Sequence, residues 1–325
     1  MTHNKDLRFV KKSWIGNPIN MDNQYINLDG VSARGIKDVF NWKVLQKNKY
    51  ADQRKNQKTN VVVHKNVDFL NVGNEGLTWL GHATFVFCIG GLKIITDPIL
   101  FDIWPLQRFT ELPCEVDQLT GIDIILLSHN HRDHADKASM KKITELNPDA
   151  LIYTGLGISN LLVGWNIKNE IIEAGWYQSY QKINDEVDFI YLPAKHWNRR
   201  YLHDLNRMLW GSFMISHNGK NIYFGADSGL GVHFEEIGSM YDIDIAILGI
   251  GAYEPIWFMN LSHTSPAGAL EAKEKLKAKI MIPMHYGTFD LSDEPIFNPK
   301  EVLSDLSKDR NDIAILDIGE KFTTY

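Results

Sequence analysis

The run Ile122-Asp-Ile-Ile-Leu-Leu-Ser-His129-Asn-His131-Arg-Asp133-His134 constrains this chain more than any other stretch. Its aliphatic part reads as a fully buried strand, because isoleucine and leucine in unbroken sequence offer solvent no polar face. Polar residues that follow such a strand directly fall at the rim of a sheet. His129, His131, Asp133 and His134 place four ligand-type side chains within six positions. A helix would spread them around its axis, whereas a loop leaving a strand can turn them all to one point. Imidazole and carboxylate together suit a borderline divalent metal, zinc first, with manganese, iron and nickel as its neighbours. One histidine in such a place is an ordinary packed or solvated residue; the whole group is a metal site.

The same joint of strand and ligand recurs three times. Leu192-Pro-Ala-Lys-His196, Ile222-Tyr-Phe-Gly-Ala-Asp227 and Ile280-Met-Ile-Pro-Met-His285 each end an apolar run on a metal-ligand residue type. Each has a bland reading alone, Asp227 as a turn or cap residue for instance. Three independent joints are harder to assign to chance.

Around these joints the texture is α/β. Strands are expected at Leu77–Leu80, Thr84–Ile89, Leu92–Thr96, Ile122–Ser128, Ala150–Tyr153, Val187–Leu192, Leu209–Ser216, Asn221–Gly225, Asp244–Gly249, Lys279–Pro283 and Ile313–Leu316, with hairpin turns at Gly90-Gly91 and Asn218-Gly219. Helices are expected near Asp136–Leu146, Gly157–Val163, Val232–Met240, Ala267–Lys277 behind the cap Ser265-Pro266, and Pro299–Leu306. The two halves repeat the same order of elements, which predicts two facing sheets with helices outside. Residues 1–72 are polar and poor in periodic segments, with one short helix expected at Ser32–Val44 capped by Ser32. They read as an N-terminal extension, anchored by Trp14, Trp42 and Tyr50 on a domain spanning 73–325.

A chain of 325 residues with 44% hydrophobic and 23% charged residues can bury a large core, and its net charge of −6 speaks against a nucleic-acid partner. Arg199-Arg200 and Lys141-Lys142 read as solvated surface. Two cysteines are too few for a disulfide framework, and Cys88, inside Phe85–Ile89, reads as a small hydrophobe. The start Met-Thr-His-Asn-Lys-Asp has no apolar run behind it, so a cytoplasmic location is expected. No apolar stretch reaches the roughly 18 residues that span a bilayer, which leaves peripheral membrane contact at most.

The His-x-His-x-Asp-His block with His196, Asp227 and His285 resembles the metallo-β-lactamase superfamily. Trp79-Leu-Gly-His-Ala-Thr84, Thr96-Asp-Pro98, Gly251-Ala-Tyr-Glu-Pro255 and His285-Tyr-Gly-Thr-Phe resemble its branch of N-acyl-phosphatidylethanolamine-hydrolysing phospholipases D and related bacterial hydrolases. The resemblance runs from about Gly76 to Pro295. It implies a four-layer αβ/βα sandwich with two metals at one edge, the first held by His129, His131 and His196, the second by Asp133, His134 and His285, with Asp227 between them. It also places His263 beside the metals, as a group that would stabilise the leaving group or transition-state charge; the alternative is a role at the helix entry. Asp133 and Asp227 would position a hydroxide and take its proton.

The superfamily motif is specific for fold and metal and says less about substrate. The leading expectation is hydrolysis of a phosphodiester, of a lipid of the N-acyl-phosphatidylethanolamine kind; a lactonase or other carboxylic-ester hydrolase is the alternative, and a non-hydrolytic diiron protein a remote one. Asp97 either starts a turn before proline or orients a ligand histidine, and His82 either packs or hydrogen-bonds behind the metals. Tyr253–Met259 with Trp197 and Trp104 are divided between core and an apolar acyl pocket, and one of Arg199, Arg200 and Arg207 is a candidate for a phosphate. Whether the first 70 residues cover the domain or contact a second subunit in a homo-oligomer stays open.

Overall fold

The computed structural model describes the chain apart from Met1, Ser32, Ala33, Asn74, Lys182, Asp185, Thr324 and Tyr325, and the side chain of Ile36. The expected cap Ser32 therefore lies outside the described residues. Among the described residues the first 72 hold two short α-helices, α1 (Ile36–Phe40) and α2 (Ala51–Arg54), with α1 running on as a wider π-type turn over Asn41–Leu45, and a 3-10 turn at Asp68–Leu70. The Asp38 carboxylate accepts from the Gly35 N–H at 3.0 Å and so satisfies a free donor at the helix start. Aromatic rings fix this segment to the rest of the chain: Trp14 meets Tyr177 at 4.8 Å and Trp42 meets Phe258 at 4.7 Å between centroids.

The first sheet begins with an antiparallel meander, β1 (Gly76–Gly81), β2 (Thr84–Ile89) and β3 (Leu92–Thr96). Gly90 and Gly91 turn it with φ of 57° and 74°, the left-handed pair that a two-residue hairpin requires. From β3 the pairing becomes parallel, through β4 (Ile124–Leu127), β5 (Leu151–Gly155) and β6 (Ile171–Ala174), with α3 (Lys137–Leu146) and α4 (Ser159–Gly164) as the crossovers between them. The second sheet mirrors this plan. β7 (Gln178–Ser179), β8 (Val187–Leu192), β9 (Ser212–His217) and β10 (Lys220–Phe224) are antiparallel, and β11 (Ile245–Gly249) and β12 (Ile280–Met284) continue in parallel. Helices α5 (Val232–Met240), α6 (Ile256–Met259) and α7 (Pro266–Leu276) lie in the crossovers, α8 (Asn298–Ser307) follows β12, and β13 (Lys321–Phe322) returns to pair with β1.

The layering follows from which side each residue faces. On β4, Ile124 and Leu126 join the core between the sheets with Phe85, Phe213 and Tyr223, while Ile125 and Leu127 join Met140, Ile143 and Leu162 of the helices outside. Both faces are apolar, so the strand shows no alternation in sequence. On the other side α7 buries Ala269, Ala272 and Leu276. The result is the expected αβ/βα sandwich.

Two expectations change. Ile313–Leu316 is not a strand: Ile313 makes one parallel bridge to Met281, and within a few residues the chain must cross to the first sheet, where the Gly319 N–H reaches Trp79 O of β1 at 2.9 Å. The strands β6, β7 and β13 and the helices α2 and α6 lie outside the expected elements, being four residues or fewer and without a long apolar run.

Candidate metal centre

The strand ends of both sheets meet at one edge. The loop after β4 brings His129, His131, Asp133 and His134; His196 follows β8, Asp227 follows β10 and His285 follows β12. Their donor atoms fall into overlapping groups of His129, His131, His196 and Asp227, of His82, Asp133, His134 and His285, and of Asp227, His263 and His285, within 4.8 Å in each group. Asp227 lies between the first two. Its carboxylate is 3.9 and 3.8 Å from His129 and His196 Nε2 on one side, and 3.1 and 3.0 Å from His134 and His285 Nε2 on the other. All seven residues proposed as ligands, and His263, thus lie at one place. The turns that bring them there are tight: His82, Asp97, Ala226, Ala252 and His285 all have positive φ, between 32° and 64°. Strained backbone of this kind persists only where the surrounding structure holds it.

The hydrogen bonds behind the histidines decide which nitrogen faces inward. Asp97 Oδ2 is 2.8 Å from His134 Nδ1 and 2.6 Å from Ser128 Oγ, which in turn lies 2.9 Å from His129 Nδ1. One buried carboxylate therefore fixes two imidazoles, His134 directly and His129 through the serine hydroxyl. His196 Nδ1 is 2.9 Å from the Ser262 carbonyl. Each of these rings commits its Nδ1 to the partner behind it and turns its Nε2 to the centre. His129 and His196 Nε2 both face His131 Nδ1, at 3.1 and 3.0 Å, and His134 Nε2 faces His285 Nε2 at 3.3 Å. A single proton cannot satisfy three converging nitrogens. A cation can, so this donor set fits a divalent metal.

The charges agree. Burial would push the Asp227 and Asp133 carboxyls up, but the neighbouring imidazoles, His134 foremost, hold both well below the usual carboxylate range. Burial would also lower His134 and His285, yet the two aspartates outweigh it, holding His134 well up and His285 at about 9. In the metal-free chain these two rings carry protons where a metal would sit. Burial pushes His263 down to about 4 and His82 to about 3, so both are neutral near pH 7.

His131, Asp133 and His263 are partly exposed, whereas His129, His134, His196, Asp227 and His285 are buried. The mouth is therefore on the side of the first three. His82 Nε2 lies 3.2 Å from Asp133 Oδ2 and its ring packs on His285 at 4.1 Å, so its role is to brace Asp133. Trp197 stands edge-on to His131 at 4.6 Å. Tyr253 and Met259 belong to the interior: Tyr253 is hydrogen-bonded to Asn298, and Met259 packs with Trp42 and Ala252. Trp104 is 86% exposed. Arg200 is not free for a phosphate, because its guanidinium donates to Asn130 O at 3.0 Å and Ala135 O at 2.7 Å and covers Trp165. It clamps the ligand loop instead, a role with no sequence signature. Larger surface clefts, such as one of about 570 Å³ between Lys65, Phe101, Arg108 and Val116, hold no member of the cluster. Donor chemistry, not concavity, locates the site.

A sandwich with convergent histidines and aspartates at the strand ends is the build of a metal-dependent hydrolase. Residues 93–286 match the family described as the beta-lactamase superfamily domain, and the chain belongs to that family. It is 32% identical over 273 residues to an N-acyl-phosphatidylethanolamine-hydrolyzing phospholipase D of Caenorhabditis elegans, covering 78% of this chain and 77% of that protein. It is 34% identical over 244 residues to the mitochondrial protein of that name from Saccharomyces cerevisiae, covering 71% of this chain but only 51% of the yeast protein. The chain thus spans about half of the yeast relative. In fold it is similar to an isothiocyanate hydrolase from Delia radicum gut bacteria, with a TM-score of 0.62 at 19% identity, over 76% of this chain and 98% of the other. Among the described residues no helix is long and apolar enough to cross a membrane.

Proposed function

We propose that the cluster holds two divalent ions of the zinc type and hydrolyses a phosphodiester, in a lipid of the N-acyl-phosphatidylethanolamine kind. The observation that carries the two-ion reading is the position of Asp227, whose carboxylate lies within 4 Å of imidazoles in both groups. His129, His131 and His196 would hold one ion, Asp133, His134 and His285 the other, with Asp227 shared. When bound, such ions supply Lewis acidity to the scissile group and lower the pKa of water toward neutrality.

The chain's own residues do the rest. Asp227 and Asp133 are held ionised, and Asp133, at the mouth, can accept a proton from water there. His263 Nδ1 lies 3.7 Å from Asp227 Oδ2, and its neutral ring can give a hydrogen bond to charge that develops on a leaving oxygen. The lipid reading is supported by the named relatives and by exposed apolar side chains on flanking elements. These are Trp104 after Asp97, Ile256 and Trp257 on α6 before His263, and Phe40, Val44 and Leu45 on the helix that Trp42 anchors.

The test is a substrate panel. N-acyl-phosphatidylethanolamine, a generic phosphodiester and a lactone are given to the same purified sample. Release of phosphatidic acid from the first supports the reading; turnover of the lactone alone replaces it with a carboxylic-ester hydrolase.

A further inference from the structure

Asn27 belongs to the N-terminal segment, far outside residues 93–286 that the family match covers, yet its side chain grips a residue of the centre. Its Oδ1 accepts from the His196 N–H at 3.1 Å, and its Nδ2 donates to the His196 carbonyl at 3.0 Å. The same Oδ1 takes the Trp210 indole N–H at 3.2 Å, and the same Nδ2 reaches Val31 O at 2.8 Å. A carboxamide has two donors and two lone pairs, so this one is saturated. It is 6% exposed. Asp29 adds a 2.7 Å ion pair to Lys195, next to His196, and the Tyr25 N–H reaches Asn206 O at 2.8 Å across the same loop.

His196 needs this help. It leaves β8 through Pro193 and lies in no strand or helix, so no ladder fixes its backbone. Its imidazole is oriented by the Ser262 carbonyl, but that bond sets only the ring. An amide that closes on both backbone groups of one residue fixes where its Cα sits, and hence how far its Nε2 reaches toward His131 and Asp227.

We propose that Asn27 is a positioning residue of the metal centre, and that residues 25–31 are part of its scaffold instead of a cover over the domain. The proposal rests on reading His196 as a metal ligand.

The test compares Asn27→Ala and the near-isosteric Asn27→Asp with Asn17→Ala in the full-length chain. Asn17 is also a buried asparagine of the extension, but its Oδ1 holds the Trp176 N–H at 3.1 Å, which carries no ligand. Each variant is stripped and titrated with Zn2+ against a competing chelator, its unfolding temperature is recorded, and the Co2+-loaded form is examined by visible absorption. Both Asn27 variants should bind zinc about tenfold more weakly and show an altered cobalt band, while Asn17→Ala loses thermal stability with unchanged zinc affinity. If Asn27→Ala fails to fold, Asn27→Asp, which leaves no cavity, carries the test. Wild-type zinc affinity and an unaltered cobalt band in the Asn27 variants overturn the proposal. His196→Ala separates the two ideas: metal lost from it but held by the Asn27 variants defeats only the clamp, and metal held by it defeats the ligand reading itself.

Discussion

The loop after β4 and the strand ends of the second sheet supply the same kind of donor by opposite means. The loop carries four ligand-type residues in sequence and is held by side chains that come from the same sheet or its loops, Asp97 and Ser128, with Arg200 across its back. The second sheet supplies one donor per strand, each held by whatever passes nearby: Ser262 O and Asn27 for His196, the His82 carbonyl for the His285 N–H at 3.1 Å. Ser228, directly after Asp227, ties two of these loops together by accepting from the Lys195 N–H at 2.9 Å. The first half gathers its donors in one loop, braced from across by Arg200, and the second gathers them from three separate strand ends.

Substitutions can break that contrast in order of size. Asp227→Asn touches both halves, and should leave a folded chain whose turnover is lower by about 10²–10⁴-fold, with reduced metal occupancy. Circular dichroism with kinetics and a metal count reads this, and unchanged turnover would remove Asp227 from its place between the ions. His263→Ala sits on the second-sheet side and holds no ion in this account. It should lower kcat on the order of 10²-fold with full metal content; loss of metal would make it a ligand instead. Asp97→Ala loosens the loop module alone, through His134 and His129 together, and should weaken metal binding about 10–100-fold in a chelator titration. Equal affinity would mean that the two imidazoles hold their positions without it.

Arg200→Ala should act on stability more than on chemistry. It removes two charge-assisted hydrogen bonds to the loop backbone from a half-buried side chain, a loss of about 2 kcal/mol by denaturant unfolding. The smallest effect concerns protons. His134 and His285 are raised in the metal-free chain, so their bound protons stabilise that form fully below the ordinary histidine value, and the His285 part of this contribution is lost as pH rises through about 9. Metal-free protein should therefore lose stability between neutral pH and pH 9 relative to loaded protein. Metal loading near pH 7 should release protons, measurable by calorimetry in buffers of different ionisation enthalpy.

How much could be read beforehand follows the same division. His129–His134 was legible because ligand spacing and the apolar run before it are local, and the strand-then-ligand joints at His196, Asp227 and His285 repeated that local signal. Asp97 and His82 were visible only as alternatives, since nothing in Thr96-Asp-Pro98 says which histidine its carboxylate reaches. Asn27 carried no signal at all, and Arg200 reads in sequence as solvated surface or a phosphate ligand, because what both hold is backbone in a distant segment. The aromatic stretch Tyr253–Met259 was divided between core and rim for a related reason: hydrophobicity does not reveal which neighbour arrives, and here Trp42 of the extension covers Met259 while Trp257 stays partly exposed. The strand at Ile313–Leu316 failed because a β-prone run pairs only as far as the chain's path allows.

The central claim is that one cluster holds two ions and that hydrolysis depends on them. Elemental analysis of the purified chain, taken beside its turnover of N-acyl-phosphatidylethanolamine before chelation, after it and after zinc is restored, tests this directly. The account predicts two divalent ions per chain, no turnover once they are removed, and recovery in step with their return. A chain that binds no divalent metal, or that hydrolyses the lipid equally well when stripped, would contradict it.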